Sequence, residues 1–141
     1  MTLTPAEKTE LFGDFDVDGH AEEAASRWSG SPAWTESQRR TSSYGKQEWK
    51  RCFAESADIS GRLAALMTSG VAASSAEAMD LAEEHRRHIS RWFYDCTREI
   101  HQGLGELYVS DARFTDSIDR AAPGLAGYLR DAIQANAARS L

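Results

Sequence analysis

Residues 47–69 read QEWKRCFAESADISGRLAALMTS, and their apolar members recur at helical spacing. Trp49, Cys52, Phe53, Ile59, Leu63, Leu66 and Met67 fall on one stripe of a helix about 35 Å long. The same period continues on the C-terminal side. From Ser75 to Tyr94 the inward set is Met79, Ala82, His85, Ile89, Trp92 and Phe93. From Arg98 to Val109 it is Ile100, Leu104, Leu107 and Tyr108, and from Pro123 to Ala138 it is Leu125, Tyr128, Leu129, Ala132 and Ile133. Alternation of β-branched and aromatic residues never lasts beyond a few positions. Four amphipathic helices can close a core without a sheet, so the fold class is expected to be all-α.

Helix punctuation agrees. Thr4-Pro5-Ala6-Glu7 and Ser31-Pro32 set a capping hydroxyl before a proline at the first helical position. Ser74-Ser75-Ala76-Glu77 reads as a capping box, Thr97 starts a helix just after Cys96, Asp111 caps a short one, and Pro123 is expected to open the last. Gly70 is a C-terminal stop. Residues 1–45 differ: glycines 13, 19 and 30 interrupt them, and their apolar content is mostly isolated rings, Phe12, Phe15, Trp28, Trp34 and Tyr44. They are expected to form a marginal arm of short helices packed on a helical core of residues 46–141.

A chain of 141 residues is one domain's worth, long enough to bury its own core. Hydrophobic residues make up 41% and charged residues 27%, which excludes disordered and disulfide-scaffold classes. No apolar run approaches the ~20 residues of a membrane span, and residues 1–11 are too polar for a signal peptide, so a cytoplasmic protein is expected. Sixteen basic against 22 acidic side chains leave a formal charge of −6, without the basic footprint that phosphate binding requires. No direct nucleic-acid contact is expected of this chain, and no membrane contact.

His85 and His88 share a helix face, with His101 as a conceivable third ligand, but hydrogen-bonded histidines are the expected reading and no metal is assigned. Asp14, Asp16, Asp18 and Gly19 begin like a calcium loop, yet Ala25 stands where the bidentate glutamate belongs. Cys52 lies on an apolar stripe and reads as an inert core thiol. Cys96 precedes a helix whose dipole is expected to lower its pKa. There is no GxSxG, no P-loop and no GxGxxG, so no enzymatic role and no cofactor are expected. The densest aromatic segment is Trp92-Phe93-Tyr94. Three consecutive rings cannot all face one core on a helix, so at least one is expected to face a cleft or another segment. Rigid rings of this kind suit flat heterocycles.

Several stretches together resemble the TipAS antibiotic-recognition domain, the ligand-binding half of MerR-type regulators that sense thiopeptide antibiotics. They are Glu10-Leu-Phe-Gly-Asp-Phe-Asp16, Glu36-Ser-Gln-Arg-Arg-Thr-Ser-Ser-Tyr44, Phe93-Tyr-Asp-Cys96, Leu104-Gly-Glu-Leu-Tyr-Val-Ser-Asp-Ala-Arg-Phe-Thr115, and Pro123-Gly-Leu-Ala-Gly-Tyr-Leu-Arg-Asp-Ala-Ile-Gln-Ala-Asn-Ala137. The resemblance runs through nearly the whole chain in order, as one domain over residues 1–141. It implies a globin-like helical arrangement without haem, whose N-terminal helices close as a lid over the ligand. It also implies non-catalytic sequestration of bulky heterocyclic peptides, giving resistance or induction. The alternative it leaves is a ligand-sensing domain of a MerR-type activator that lacks its DNA-binding part. MerR-type sensors carry a winged helix and a coiled coil before this domain; starting at a methionine without them, the chain reads as a stand-alone binder, an internally initiated form or a trimmed one.

The expected lining of the cleft is Trp92, Phe93, Tyr94, Leu104, Leu107 and Tyr108, with Phe12, Phe15, Trp34 and Tyr44 from the lid and Asp95, His101 and Arg113 as polar anchors. In some family members a cysteine captures a dehydroalanine of the thiopeptide. The matching position here is Gly103, so reversible binding is expected, and Cys96 matches a family cysteine that is not the usual attacking group.

Overall fold

The structure, a computed structural model, describes residues 32–139, and of residues 33 and 34 the backbone only. Its helices are α1 (Pro32–Thr41), α2 (Lys46–Thr68), α3 (Ala76–Trp92), α4 (Arg98–Ser110), α5 (Ala112–Asp119) and α6 (Leu125–Ala138), and no strand occurs among the described residues. The fold class is all-α, as the helical spacing implies, and globin-like, as the resemblance implies. The expectations for the Thr4-Pro5 cap, Phe12, Phe15, Trp28 and the Asp14–Asp18 stretch lie outside the described residues, as does the side chain of Trp34.

Local chemistry sets the helix ends. Thr97 Oγ1 accepts from the Ile100 amide at 3.1 Å, and Asp111 Oδ1 accepts from the Arg113 amide at 3.1 Å. At the start of α3 the cap is Ser75, whose Oγ accepts from the Ala78 amide at 3.1 Å, one residue later than the expected Ser74. Gly70, at φ 79°, ends α2: its amide donates to Met67 O at 3.1 Å, and the Val71 amide donates to Leu66 O at 3.0 Å.

Pro123 does not open the last helix. Gly124 takes φ 89° and turns the chain, so α6 begins at Leu125, and Asp119 Oδ1 caps it by accepting from the Ala126 amide at 2.9 Å.

Two compact units are distinguishable: Met1–Ala54 with Ile89–Asp95, and Glu55–His88 with Cys96–Leu141. Both α2 and α3 supply residues to each. In the second unit, Ile59 and Leu63 of α2, Ala78, Leu81 and Ala82 of α3, and Leu125, Leu129, Ala132 and Ile133 of α6 form one buried cluster. Each fully buried Leu or Ile contributes roughly 1.5–3 kcal/mol. The α3 stripe is therefore centred on Ala78, Leu81 and Ala82, while Met79 is only half-buried.

On α4 the buried residues are His101 and Gly105, and Ile100, expected inward, is 38% exposed. The face is turned by one residue because His101 finds a hydrogen-bonding partner on α3 and Gly105 lies against Ile133 and Arg130 of α6. A buried carboxylate completes this unit. Glu83 accepts from Arg86 Nε at 2.9 Å and from Asn136 Nδ2 at 3.0 Å, with a further contact to Arg86 Nη2. The Arg86 guanidinium, helped by Asn136, holds the Glu83 carboxyl down at about 2 against the cost of its burial.

Candidate functional site

In the first unit, α1 and the segment after it meet the end of α3. The α3 ladder ends at Trp92, and the amides of Phe93 and Tyr94 both reach back to Ile89 O, at 2.9 and 3.3 Å. This unwinding resolves the problem of three consecutive rings: Trp92 turns inward at 6% exposure, while Phe93 and Tyr94 stay half-exposed.

Tyr44 sits edge-on to Trp92 at 5.4 Å between centroids and edge-on to Trp49 at 5.5 Å. Trp49 in turn stacks on Phe53 at 5.7 Å and lies 6.2 Å from Phe93. Five rings thus form one continuous group, in the edge-to-face and offset arrangements that aromatic quadrupoles favour. The Arg91 guanidinium lies 5.6 Å from the Trp92 ring centroid. Tyr44, Trp49, Phe53 and Phe93 each keep part of their surface in solvent.

Trp49 and Phe53 were not expected here, since their i, i+4 spacing reads equally well as core. The missed signal is that this pair alone among the α2 apolar positions is aromatic. Trp92, expected as cleft wall, is instead the covered base of the group.

Polar groups frame the rings. The Tyr44 hydroxyl donates to Trp92 O at 2.5 Å, and burial pushes its pKa up. Arg40 donates through Nη1 to Ser90 O at 2.6 Å and through Nε to Glu36 at 2.6 Å, and pairs with Asp95 at 3.2 Å. Asp95 keeps 93% of its side chain exposed. Arg39 and Arg40 together hold the Glu36 carboxyl down at about 2.

In the second unit the expected site residues separate by chemistry. Cys96 is 2% exposed, and burial pushes its thiol up to about 11, opposite to the shift expected from the helix start. Desolvation outweighs the dipole and the nearby Arg86, so the group is a poor nucleophile.

His101, expected as a polar anchor, is 1% exposed, and its Nε2 lies 2.8 Å from His85 Nδ1. One ring donates and the other accepts. Desolvation brings His101 down to about 4 and His85 to about 3, so both are neutral at pH 7. Tyr108 stands edge-on to His85 at 6.1 Å. His88 lies instead 3.8 Å from Glu55, and among the described residues no three His, Cys, Asp or Glu side chains converge as for a metal.

Arg113 folds back on its own helix cap, Asp111, at 2.8 and 3.1 Å. Leu104 and Leu107 are half-buried, and Gly103 is exposed with open space where a Cβ would stand. A groove of about 440 Å³ lies between α2 and α3 in this unit, lined by Arg62, Ala65, Leu66, Glu77, Asp80, Leu81 and Glu84. It contains no ring and none of the candidate site residues chosen from sequence.

The chain is similar to several known proteins. The profile of the TipAS antibiotic-recognition domain matches residues 20–136. The HTH-type transcriptional activator TipA of Streptomyces coelicolor is 52% identical over 139 residues, covering 99% of this chain and 55% of the relative. The HTH-type transcriptional activator mta of Bacillus subtilis is 38% identical over 132 residues, 89% of this chain and 51% of the relative. The chain spans about half the length of the curated relatives it matches.

Among solved structures, TipAS of Streptomyces lividans in complex with nosiheptide, from a thiopeptide antibiotic multidrug resistance system, superposes with a TM-score of 0.91 at 52% identity, covering 97% of this chain and 96% of that one. The antibiotic-binding domain of a TipA-class multidrug resistance transcriptional regulator gives 0.58 at 55% identity, over 63% and 95% of the two chains.

Proposed function

The chain belongs to the TipAS antibiotic-recognition family, and from that membership we propose that it binds and sequesters thiopeptide antibiotics without altering them. The observation that carries this reading is the likeness, over nearly the full chain, to a nosiheptide-bound domain at 52% identity. The ring group formed by Tyr44, Trp49, Phe53, Trp92 and Phe93 supports it. Thiazole-like heterocycles stack on partly exposed rings at little entropic cost, because those rings are already fixed by one another.

Tyr94 and Asp95 extend the proposed contact surface of the first unit, Asp95 as an exposed acceptor. Phe12, Phe15 and Trp34 are proposed to close over the ligand as rings of a lid. In the second unit Leu104, Leu107, Tyr108 and Arg113 stay proposed contacts, to be tested by single substitution. His101 and Cys96 are buried, so their part in binding is to support the fold around them.

That the ligand is left chemically unaltered is part of the same proposal. Cys96, the thiol nearest a helix start, is buried and protonated at neutral pH. No helix of the described residues is long and apolar enough to cross a membrane, and work on a drug that has entered the cell places the protein in the cytoplasm under this proposal. The relatives' names favour one further consequence, that ligand occupancy is transmitted to a MerR-type DNA-binding domain.

Thermal denaturation with and without nosiheptide tests the proposal. A ligand at 100 times its dissociation constant that binds only the native state adds about 2.7 kcal/mol, a rise of several degrees in Tm. Recovery of unchanged nosiheptide after incubation is the second expected result. An unshifted Tm counts against binding, and a processed ligand counts against sequestration.

A further inference from the structure

The last carbonyls of a helix have no partner within it, and α3 ends at the ring group. Two of those carbonyls are met from the Glu36–Tyr44 stretch: Arg40 Nη1 donates to Ser90 O at 2.6 Å, and the Tyr44 hydroxyl donates to Trp92 O at 2.5 Å. Arg40 is aimed from both sides, by Glu36 on its Nε at 2.6 Å and by Asp95 on its Nη2 at 3.2 Å. A cation at a helix C-terminus is also favoured by the helix dipole. Arg39 differs, since its hydrogen bonds go to Glu36 within α1 and its side chain is 69% exposed.

A guanidinium that bridges a carbonyl and two carboxylates uses three directions of its planar fork, which no other side chain supplies. The result is a clasp across the point where the backbone leaves the helix and turns Phe93 and Tyr94 outward.

We propose that Arg40 and the Tyr44 hydroxyl are positioning residues of the antibiotic site, which fix the rings of residues 92–94 in the arrangement that ligand recognition uses. The inference rests on the binding function proposed above. Arg40 need not touch the antibiotic; it acts through the α3 terminus.

The test compares wild type, R40A, Y44F and R39A by nosiheptide titration, by near-UV circular dichroism without ligand and by far-UV circular dichroism. R40A is expected to weaken binding by about tenfold or more, and Y44F by about threefold or more, both with reduced near-UV tryptophan bands and retained helicity. R39A should match wild type in all three. If R40A loses helicity, Y44F decides, because it removes one oxygen and keeps the ring. Wild-type affinity in R40A and Y44F, or an equal loss in R39A, overturns the inference. Failure of wild type to bind nosiheptide overturns the functional reading instead, and this inference with it.

Discussion

Tyr44 meets Trp92 twice, ring edge to ring face at 5.4 Å and hydroxyl to carbonyl at 2.5 Å. The pairing joins a residue just after α1 to the residue on which α3 ends. It explains why Trp92 is covered while its sequence neighbours are not: the indole is the floor on which Tyr44 rests, and Tyr44 carries the contact on to Trp49 and Phe53. Four partly exposed rings and one buried ring make a continuous aromatic surface held by its own contacts.

Stability and binding should therefore separate between two adjacent aromatic residues. Trp92→Ala removes a buried indole and is expected to cost about 3–5 kcal/mol in urea denaturation. Phe93→Ala removes a half-exposed ring; it should cost much less stability and lose more nosiheptide affinity per unit of stability lost. Equal losses of both in the two variants would contradict the division of roles.

The hydrogen-bonded pair of His85 and buried His101 predicts the acid response of the fold. In the unfolded chain both imidazoles titrate near 6.5, whereas desolvation holds His101 at about 4 and His85 at about 3 in the native state. The unfolded state then binds more protons below pH 6.5, so the stability from the neutral pair is fully present above that pH and falls as the pH drops towards 4. Glu83 and Glu36, with carboxyls depressed from 4.5 to about 2, add their loss only below about 4.5. Chemical denaturation at pH 7.5, 6.5, 5.5 and 5 should show the decline, and His101→Gln should flatten it. A flat wild-type profile over this window would contradict the neutral pair.

Position 103 predicts a gain of chemistry. Gly103 is exposed, and a Cβ built there meets nothing within 4 Å, so a side chain fits without displacing its neighbours. Gly103→Cys is expected to form an adduct with a thiopeptide bearing dehydroalanine, read as one ligand mass added in intact-mass spectrometry. Wild type should stay unmodified, because Cys52 and Cys96 are both buried. An adduct on the wild-type chain would move the reactive centre to Cys96.

Much of the fold was legible because helical spacing is a local property. The stripe through Ile59 and Leu63 and that through Leu125, Leu129 and Ile133 form the observed core, and Thr97 and Asp111 cap the helices they were expected to cap. What was not legible depended on a partner from elsewhere in the chain. Ile100 and His101 are equally good candidates for an inward position until His85 appears 2.8 Å away and takes the histidine. Trp49 and Phe53 satisfy a core stripe and a ring surface alike, and only Tyr44 and Phe93 decide between them. At Cys96 the sequence displays the helix start but not the burial that overrides it. Arg40 offered no sign of its role beyond its motif, since its acceptors lie 50 and 55 residues away.

Isothermal titration of the wild-type chain with nosiheptide tests the central claim most directly. The account predicts saturable binding of one antibiotic per chain, with ligand recovered intact, and a marked loss of affinity in Phe93→Ala. Absence of heat and of any tryptophan signal at saturating nosiheptide, from a chain shown to be folded, would contradict it.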